Sequence, residues 1–344
     1  MSLRDGRRAC AVFVALLLGV FARAAELQRF AFDKAEMGLS FRVTLYAEDE
    51  AAAKAAADAA FERVAVLNSI LSDYDPDSEI SRLSRTAGQG KVVPVSGDLW
   101  RVLERGQAMA ARTDGAFDVT VGPLVNLWRR ARRKNELPSA ELIAEMRARV
   151  GYRNLRLDPS RRTAELLVPE MRLDVGSIGK AYAVDAALVV LKQRGFPRAL
   201  VGGSGDMVAG DPPPGQPGWR IEVAPLDTPN APPPQIVYLK NRSIATSGDV
   251  FQRVEIGGKR YSHIVDPHTG LGLTDHALVT ALAPDCFTAN SFSTAVSVLG
   301  PERGLRFVEG TPDVSTLIVR KPDERIEFVE SSRWREEPRP SAER

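Results

Sequence analysis

Hydrophobic and polar positions alternate cleanly through residues 38–46. Leu39, Phe41, Val43 and Leu45 face one way, while Ser40, Arg42, Thr44 and Tyr46 face the other. A period of two is that of a half-buried strand. The spacing then turns helical: an alanine-rich stretch from about 49 to 71 carries Phe61, Val64, Leu67 and Leu71 on one face. Residues 72–95 are polar and rich in turn formers. A second helix is predicted over about 97–112 with Ser96 as its N-cap, and a third over 139–149 between Ser139 and Gly151. A hairpin is expected across 153–168, turning at Asp158-Pro159-Ser160. Helical spacing resumes at 181–194 through Ala183, Val184, Ala187, Leu188 and Leu191, and Gly195 is a plausible stop.

The second half is richer in strands, predicted at about 198–209, 218–224, 236–245, 250–256 and 260–266, with Gly257-Gly258 as a hairpin turn. Residues 211–218 and 225–234 are proline-rich surface loops, too short to link domains. A strand at 278–283 leads into a helix at about 286–299, and no repeat of 20–50 residues is visible. Strands and helices mix without regular alternation. That predicts an α+β fold, with mixed β-sheets and packed helices, rather than a doubly wound parallel sheet.

The chain's first residues change the picture. Arg4, Arg7 and Arg8 precede an apolar run from Cys10 to Phe21, and Ala22-Arg23-Ala24 supplies small residues for cleavage. The run is short for a membrane span, so residues 1–24 are expected to be a cleaved secretory signal. Sec export fits better than the twin-arginine route, because Ala9-Cys10-Ala11 follows Arg7-Arg8 poorly. The expected product is an exported, periplasmic chain, not integral to the membrane. It would be a single domain over 25–344, or two lobes of one. Only Cys286 would remain after cleavage, so no internal disulfide is expected. The formal net charge of +2 leaves no field suited to nucleic acid. Arg129, Arg130, Arg132, Arg133 and Lys134 read as a solvated helix end.

Candidate chemistry is concentrated in five segments. Leu71 to Leu83 sets Tyr74 in an acidic turn, and Thr113 to Leu124 places Ala116, Phe117 and Asp118 after a glycine turn. In Leu173 to Lys180 an acid and a lysine stand six residues apart, with Gly176, Ser177 and Gly179 between them. This reads as a strand end, a tight turn and a helix start, where backbone amides and a lysine suit an anion; a tight connection alone would give the same pattern. Ala245 to Asp249, with Tyr261 to Gly270, combines strand ends with an Asp-Pro turn. The three histidines all lie between 263 and 276, but no cysteine pair or further histidine completes a zinc site. On the predicted helix from 286, Asn290 and Thr294 share a face, with Ser293 beside them. Oxygen-bearing side chains on one face can ligate a hard cation, and a solvated polar face looks the same.

Together, from Met37 to Gly300, these segments resemble the ApbE-like FAD:protein FMN transferases. The resemblance implies an exported enzyme that takes FAD as substrate and binds Mg²⁺. It implies attachment of FMN to a threonine hydroxyl of a target protein through a phosphoester, with AMP released. Expected targets are proteins with an acceptor threonine, such as subunits of membrane redox complexes. Met37, Tyr74, Ala116, Phe117, Asp118, Asp174, Lys180 and Ile264 match flavin-contacting positions. Ser177 matches a position whose carbonyl ligates the metal, Thr294 a metal-ligating hydroxyl, and His263 a histidine suited to proton transfer. The family pattern has Ala-Asp where this chain has Ala289-Asn290. The metal site would then lack a carboxylate unless another acid such as Asp285 supplies it, and Asn290→Asp is expected to raise Mg²⁺ affinity. Ala181 and Leu39 are milder departures. Two other activities share these residues: FAD binding without transfer, and Mg²⁺-dependent hydrolysis of the FAD pyrophosphate.

Overall fold

A computed structural model describes residues 26–338 except 229, 230, 251 and 324. The expected signal, 1–24, lies outside the described residues. The chain opens with β1 (Gln28–Glu36) and β2 (Leu39–Ala47), joined at Met37-Gly38, where both residues have positive φ. Next come α1 (Glu50–Leu71), α2 (Glu79–Ser84), β3 (Val93–Pro94) and α3 (Gly97–Arg112). Then follow α4 (Gly122–Lys134), α5 (Ala140–Arg147), β4 (Leu155–Asp158) and β5 (Thr163–Leu166). Helix α6 (Gly176–Gln193) leads into β6 (Ala199–Gly203), β7 (Asp206–Ala209), β8 (Trp219–Glu222), β9 (Ile236–Leu239) and β10 (Ser243–Gly248). The remainder is β11 (Arg253–Ile256), β12 (Lys259–Ser262), β13 (Ala277–Ala283), α7 (Cys286–Glu309), β14 (Ser315–Arg320), β15 (Glu327–Glu330) and α8 (Ser332–Glu336).

The fold is α+β. Its frame is an eight-stranded sheet of order β1-β2-β6-β7-β10-β13-β14-β15, and every neighbouring pair is antiparallel. The only parallel contact found among the described residues is an isolated bridge between Val121 and Arg172. One face of the sheet carries Phe41, Val43 and Leu45 into the main core, against α1, α6 and α7. The small buried side chains Ala53, Ala56, Ala57 and Ala60 give α1 a narrow face, so α6 packs closely on it. The other face is covered by the β8–β9 hairpin and α8 through Trp219, Ile221, Val237 and Trp334. A third cluster joins Leu124, Trp128 and Ala131 of α4 to Tyr261 and Val265. No helix among the described residues is long and apolar enough to cross a membrane.

Several expectations shift. The apolar run 198–209 is a hairpin, because Ser204 and Gly205 adopt positive φ and reverse the chain. The run 236–245 breaks at Asn241, which also has positive φ. No strand runs directly into the 173–180 segment, only the isolated bridge at Arg172; Gly176 already belongs to α6, so its glycines lie in the first helical turn. The helix from Cys286 is interrupted at Gly300, with φ of 74° and Pro301 after it, close to the predicted end.

Candidate functional site

Sheet topology brings the start of β7, the end of β10 and the first turns of α6 together, and α7 runs back across them. Asp174 caps α6 from outside: its Oδ1 accepts the Gly176 N–H at 2.9 Å. Its own N–H donates to the Val119 carbonyl at 2.8 Å, which lays the 116–119 segment alongside. Burial pushes the Asp174 carboxyl up, and nearby Asp73 adds to the shift, while Arg129, the Gly176 N–H and Lys180 oppose it. Ser177 and Lys180 follow at a spacing that puts them on one helical face. Lys180 acts electrostatically on Asp174, Asp206 and His263 at once.

Arg129 departs from its expected role as a solvated charge. Its guanidinium pairs with Asp73, reaches Asp174 at 3.1 Å, and lies over the Tyr74 ring, 4.2 Å from its centre. The turn of α4 aims it back at the buried Asp73 and the half-buried Asp174. Tyr74 itself is 75% exposed, the largest exposure among the candidate flavin contacts. Met37 sits at the β1–β2 turn, half-buried against the main core.

Ala116 and Phe117 are buried, and Phe117 belongs to the main core. The Asp118 carboxylate accepts the Thr120 N–H and hydroxyl, each at 2.7 Å, and the Tyr152 N–H at 2.8 Å. Burial raises its pKa against those bonds. In this structure Asp118 ties its loop to the turn at Tyr152–Asn154.

The three histidines go to three places. His263 sets Nδ1 3.1 Å from the Gln252 carbonyl. Burial drives its pKa down to about 4, with Arg132 and Lys180 in the same direction and the Gln252 bond opposing. His268 reaches the Asp114 carbonyl at 2.8 Å, and His276 reaches Asp249 at 3.0 Å. Ile264 is buried and lines a small cavity with Gly248, Asp249 and Ser297. The indole N–H of Trp128 donates to the Gly270 carbonyl at 2.8 Å and holds the 263–270 segment against α4.

On α7, Asn290 is 5% exposed, and its Nδ2 donates to Asp206 Oδ2 at 2.9 Å. Its Oδ1 is buried and without a partner. Burial raises the Asp206 carboxyl to about 7; Asp185 adds to this, while Lys180, the Asn290 amide and the Thr246 N–H pull it back. The Thr294 hydroxyl lies 3.2 Å from that of Ser247, which also meets Ser293 at 2.8 Å. Asp285 does not join them: it caps α7 through the Thr288 N–H and pairs with Arg105 at 2.7 Å. Among the described residues no group of three His, Cys, Asp or Glu is placed to hold a metal, so the oxygens on offer come mainly from amide, hydroxyl and backbone.

Sequence reasoning passes over Asp206 and Asp185, reads Arg129 as a solvated charge, and includes Ser247 only as part of the Ala245–Asp249 segment. The available signal for Asp206 is an acid beside a glycine-rich reversal, Gly202-Gly203-Ser204-Gly205, in an otherwise apolar strand pair.

A family model described as the ApbE family matches residues 37–318. A FAD:protein FMN transferase of Haemophilus influenzae is 31% identical over 320 residues, covering 90% of this chain and 92% of that protein. A FAD:protein FMN transferase of Klebsiella pneumoniae is 34% identical over 297 residues, covering 84% of each. Among solved structures, the flavin transferase ApbE from Vibrio cholerae superposes with a TM-score of 0.81 at 27% identity, covering 91% of this chain and all of that one. The apo flavinyl transferase ApbE of Pseudomonas stutzeri gives 0.80 at 29% identity, covering 90% and 96%. With the family model spanning most of its length and the same architecture beneath it, the chain belongs to the ApbE family.

Proposed function

We propose that this chain transfers FMN from FAD to a threonine hydroxyl of a target protein, forming a phosphoester and releasing AMP. The observation that carries this reading is the setting of Lys180. It is a cation near the start of α6, among Asp174, Asp206 and His263, in a chain of this family. A helix start favours anions through its first-turn N–H groups, and Lys180 adds a full charge for the FAD pyrophosphate. The exposed ring of Tyr74 suits the flavin ring.

In the reaction the threonine oxygen attacks the phosphorus on the FMN side. The bridging P–O bond to the AMP phosphate breaks, and AMP leaves with that oxygen. Lys180 offsets charge on the phosphates as the bond breaks. The hydroxyl proton needs an acceptor within hydrogen-bond reach. His263 suits the role: its Nδ1 faces a carbonyl, which only an N–H there can satisfy, so Nε2 keeps its lone pair. Its lowered pKa keeps the ring neutral at working pH.

Mg²⁺ fits the residues present. Asn290 Oδ1 is a buried oxygen without a partner, Thr294 is one helical turn away, and Ser177 stands a turn before Lys180. Those three residues would hold the ion, which supplies charge neutralisation on phosphate oxygens when bound. The basic, apolar and small-residue pattern of 4–24 supports action outside the cytoplasm after Sec export, on targets such as subunits of membrane redox complexes.

The test is incubation with FAD, Mg²⁺ and a threonine-bearing acceptor domain. The expected result is a mass gain of one FMN on the acceptor with stoichiometric AMP. Free FMN with AMP would make the chain a pyrophosphatase, and intact FAD would make it a binder; either overturns the transfer reading.

A further inference from the structure

We propose that Asp206 is a positioning residue for the cation site. It holds the Asn290 side chain by its amide N–H, leaves Oδ1 as the ligand, and stands directly behind that ligand. The inference rests on the Mg²⁺ reading above. The two side chains meet at 2.9 Å and are 5% and 4% exposed, so water does not compete for the bond. The amide has two unlike ends. With Nδ2 committed to the carboxylate, the buried Oδ1 is left without a partner. Turning the amide over would set that oxygen against an acceptor, so the bond selects one orientation. A carboxylate behind a ligand orients it and makes it a better donor, as the acids behind metal-bound histidines do. In this chain the carboxylate that meets the Asn290 side chain is that of Asp206, at the start of β7. The Thr246 N–H also bonds the Asp206 carboxyl, and the Lys180 charge acts on it.

This reverses an expectation drawn from sequence alone. Asn290→Asp replaces the amide donor with a second carboxylate beside Asp206, and two adjacent acids in a buried site do not both ionise freely. The variant therefore loses the N–H donor that fixes the ligand oxygen and sets two carboxylates against each other.

The test measures Mn²⁺ binding to the FAD-loaded protein by electron paramagnetic resonance, with flavin binding and thermal melting followed for each variant. Asp206→Asn is expected to weaken Mn²⁺ binding by about tenfold or more while retaining FAD. Asn290→Asp alone should bind Mn²⁺ no more tightly than the wild type. The exchange Asp206→Asn with Asn290→Asp should restore binding, because one carboxylate and one amide face each other again. In an Asn290→Ala background, Asp206→Asn should change little, since its target is gone. A wild type that binds Mn²⁺ and an Asp206→Asn variant that binds it equally well would overturn the inference alone. A wild-type FAD complex that takes up no Mn²⁺ would overturn the Mg²⁺ reading together with it. If Asp206→Asn does not fold, Asn290→Asp answers the same question, and tighter binding by that variant overturns the proposal.

Discussion

Asp185 is a half-buried acid whose hydrogen-bond partners are backbone N–H groups. Its two oxygens accept the N–H groups of Cys286 at 2.8 Å and Phe287 at 2.9 Å, and so tie α6 to the first turn of α7. Burial outweighs those bonds and raises its pKa from 3.8 to about 7, with Asp285 adding to the shift and Arg105 opposing it. The sign of the linkage follows. Between those two values the folded chain keeps the proton and the unfolded chain has lost it. Stability from this group is therefore full below the lower value, falls as pH rises through the interval, and is flat above the upper one. Asp185→Asn removes the titration. The drop in melting temperature between pH 5 and pH 8 should be smaller in that variant than in the wild type, by calorimetry in matched buffers. An equal drop in both would mean that Asp185 is charged across the range.

At the scale of elements, the segment after β12 depends on one glycine. Gly270 has φ of +75°, and a Cβ there would lie 2.6 Å from Ile143 and 2.9 Å from Arg147, both on α5. Gly270→Ala should destabilise the protein by about 2 kcal/mol, from left-handed strain plus crowding. It should also weaken FAD binding, because His263 and Ile264 share the displaced segment. Denaturant titration and flavin fluorescence read the two effects, and a variant of wild-type stability would show that α5 yields. Elements with strong local signals were legible in the sequence. Ser96 and Ser139 each cap a helix through a side-chain oxygen as expected, and caps are local chemistry. The hairpin at Asp158 and the Gly257-Gly258 turn are local in the same way. Strands β14 and β15 and the split of β6 from β7 were not legible, since pairing partners far along the chain decide them. The site divides on the same line. Asp174, Lys180, His263 and Thr294 belong to compact motifs, whereas Asp206 and Arg129 acquire their surroundings only when distant elements meet.

The whole molecule is a broad antiparallel sheet whose two faces are covered by different parts of the chain, helices on one and a hairpin with α8 on the other. Its central strands are not neighbours in sequence: β7 pairs with β10, and β10 with β13. Lys180, Asp206 and Asn290 therefore become a site only after long loops have closed, steps that cost chain entropy early and are rewarded late. A ligand seated there finds little to grip in a partly folded chain. Saturating FAD should accordingly slow unfolding and leave the refolding rate almost unchanged, because its contacts are absent from the folding transition state. Stopped-flow chevrons with and without FAD test this, and a refolding limb accelerated by FAD would contradict it. The flavin then acts as a latch on the finished molecule, lengthening its lifetime without guiding its assembly.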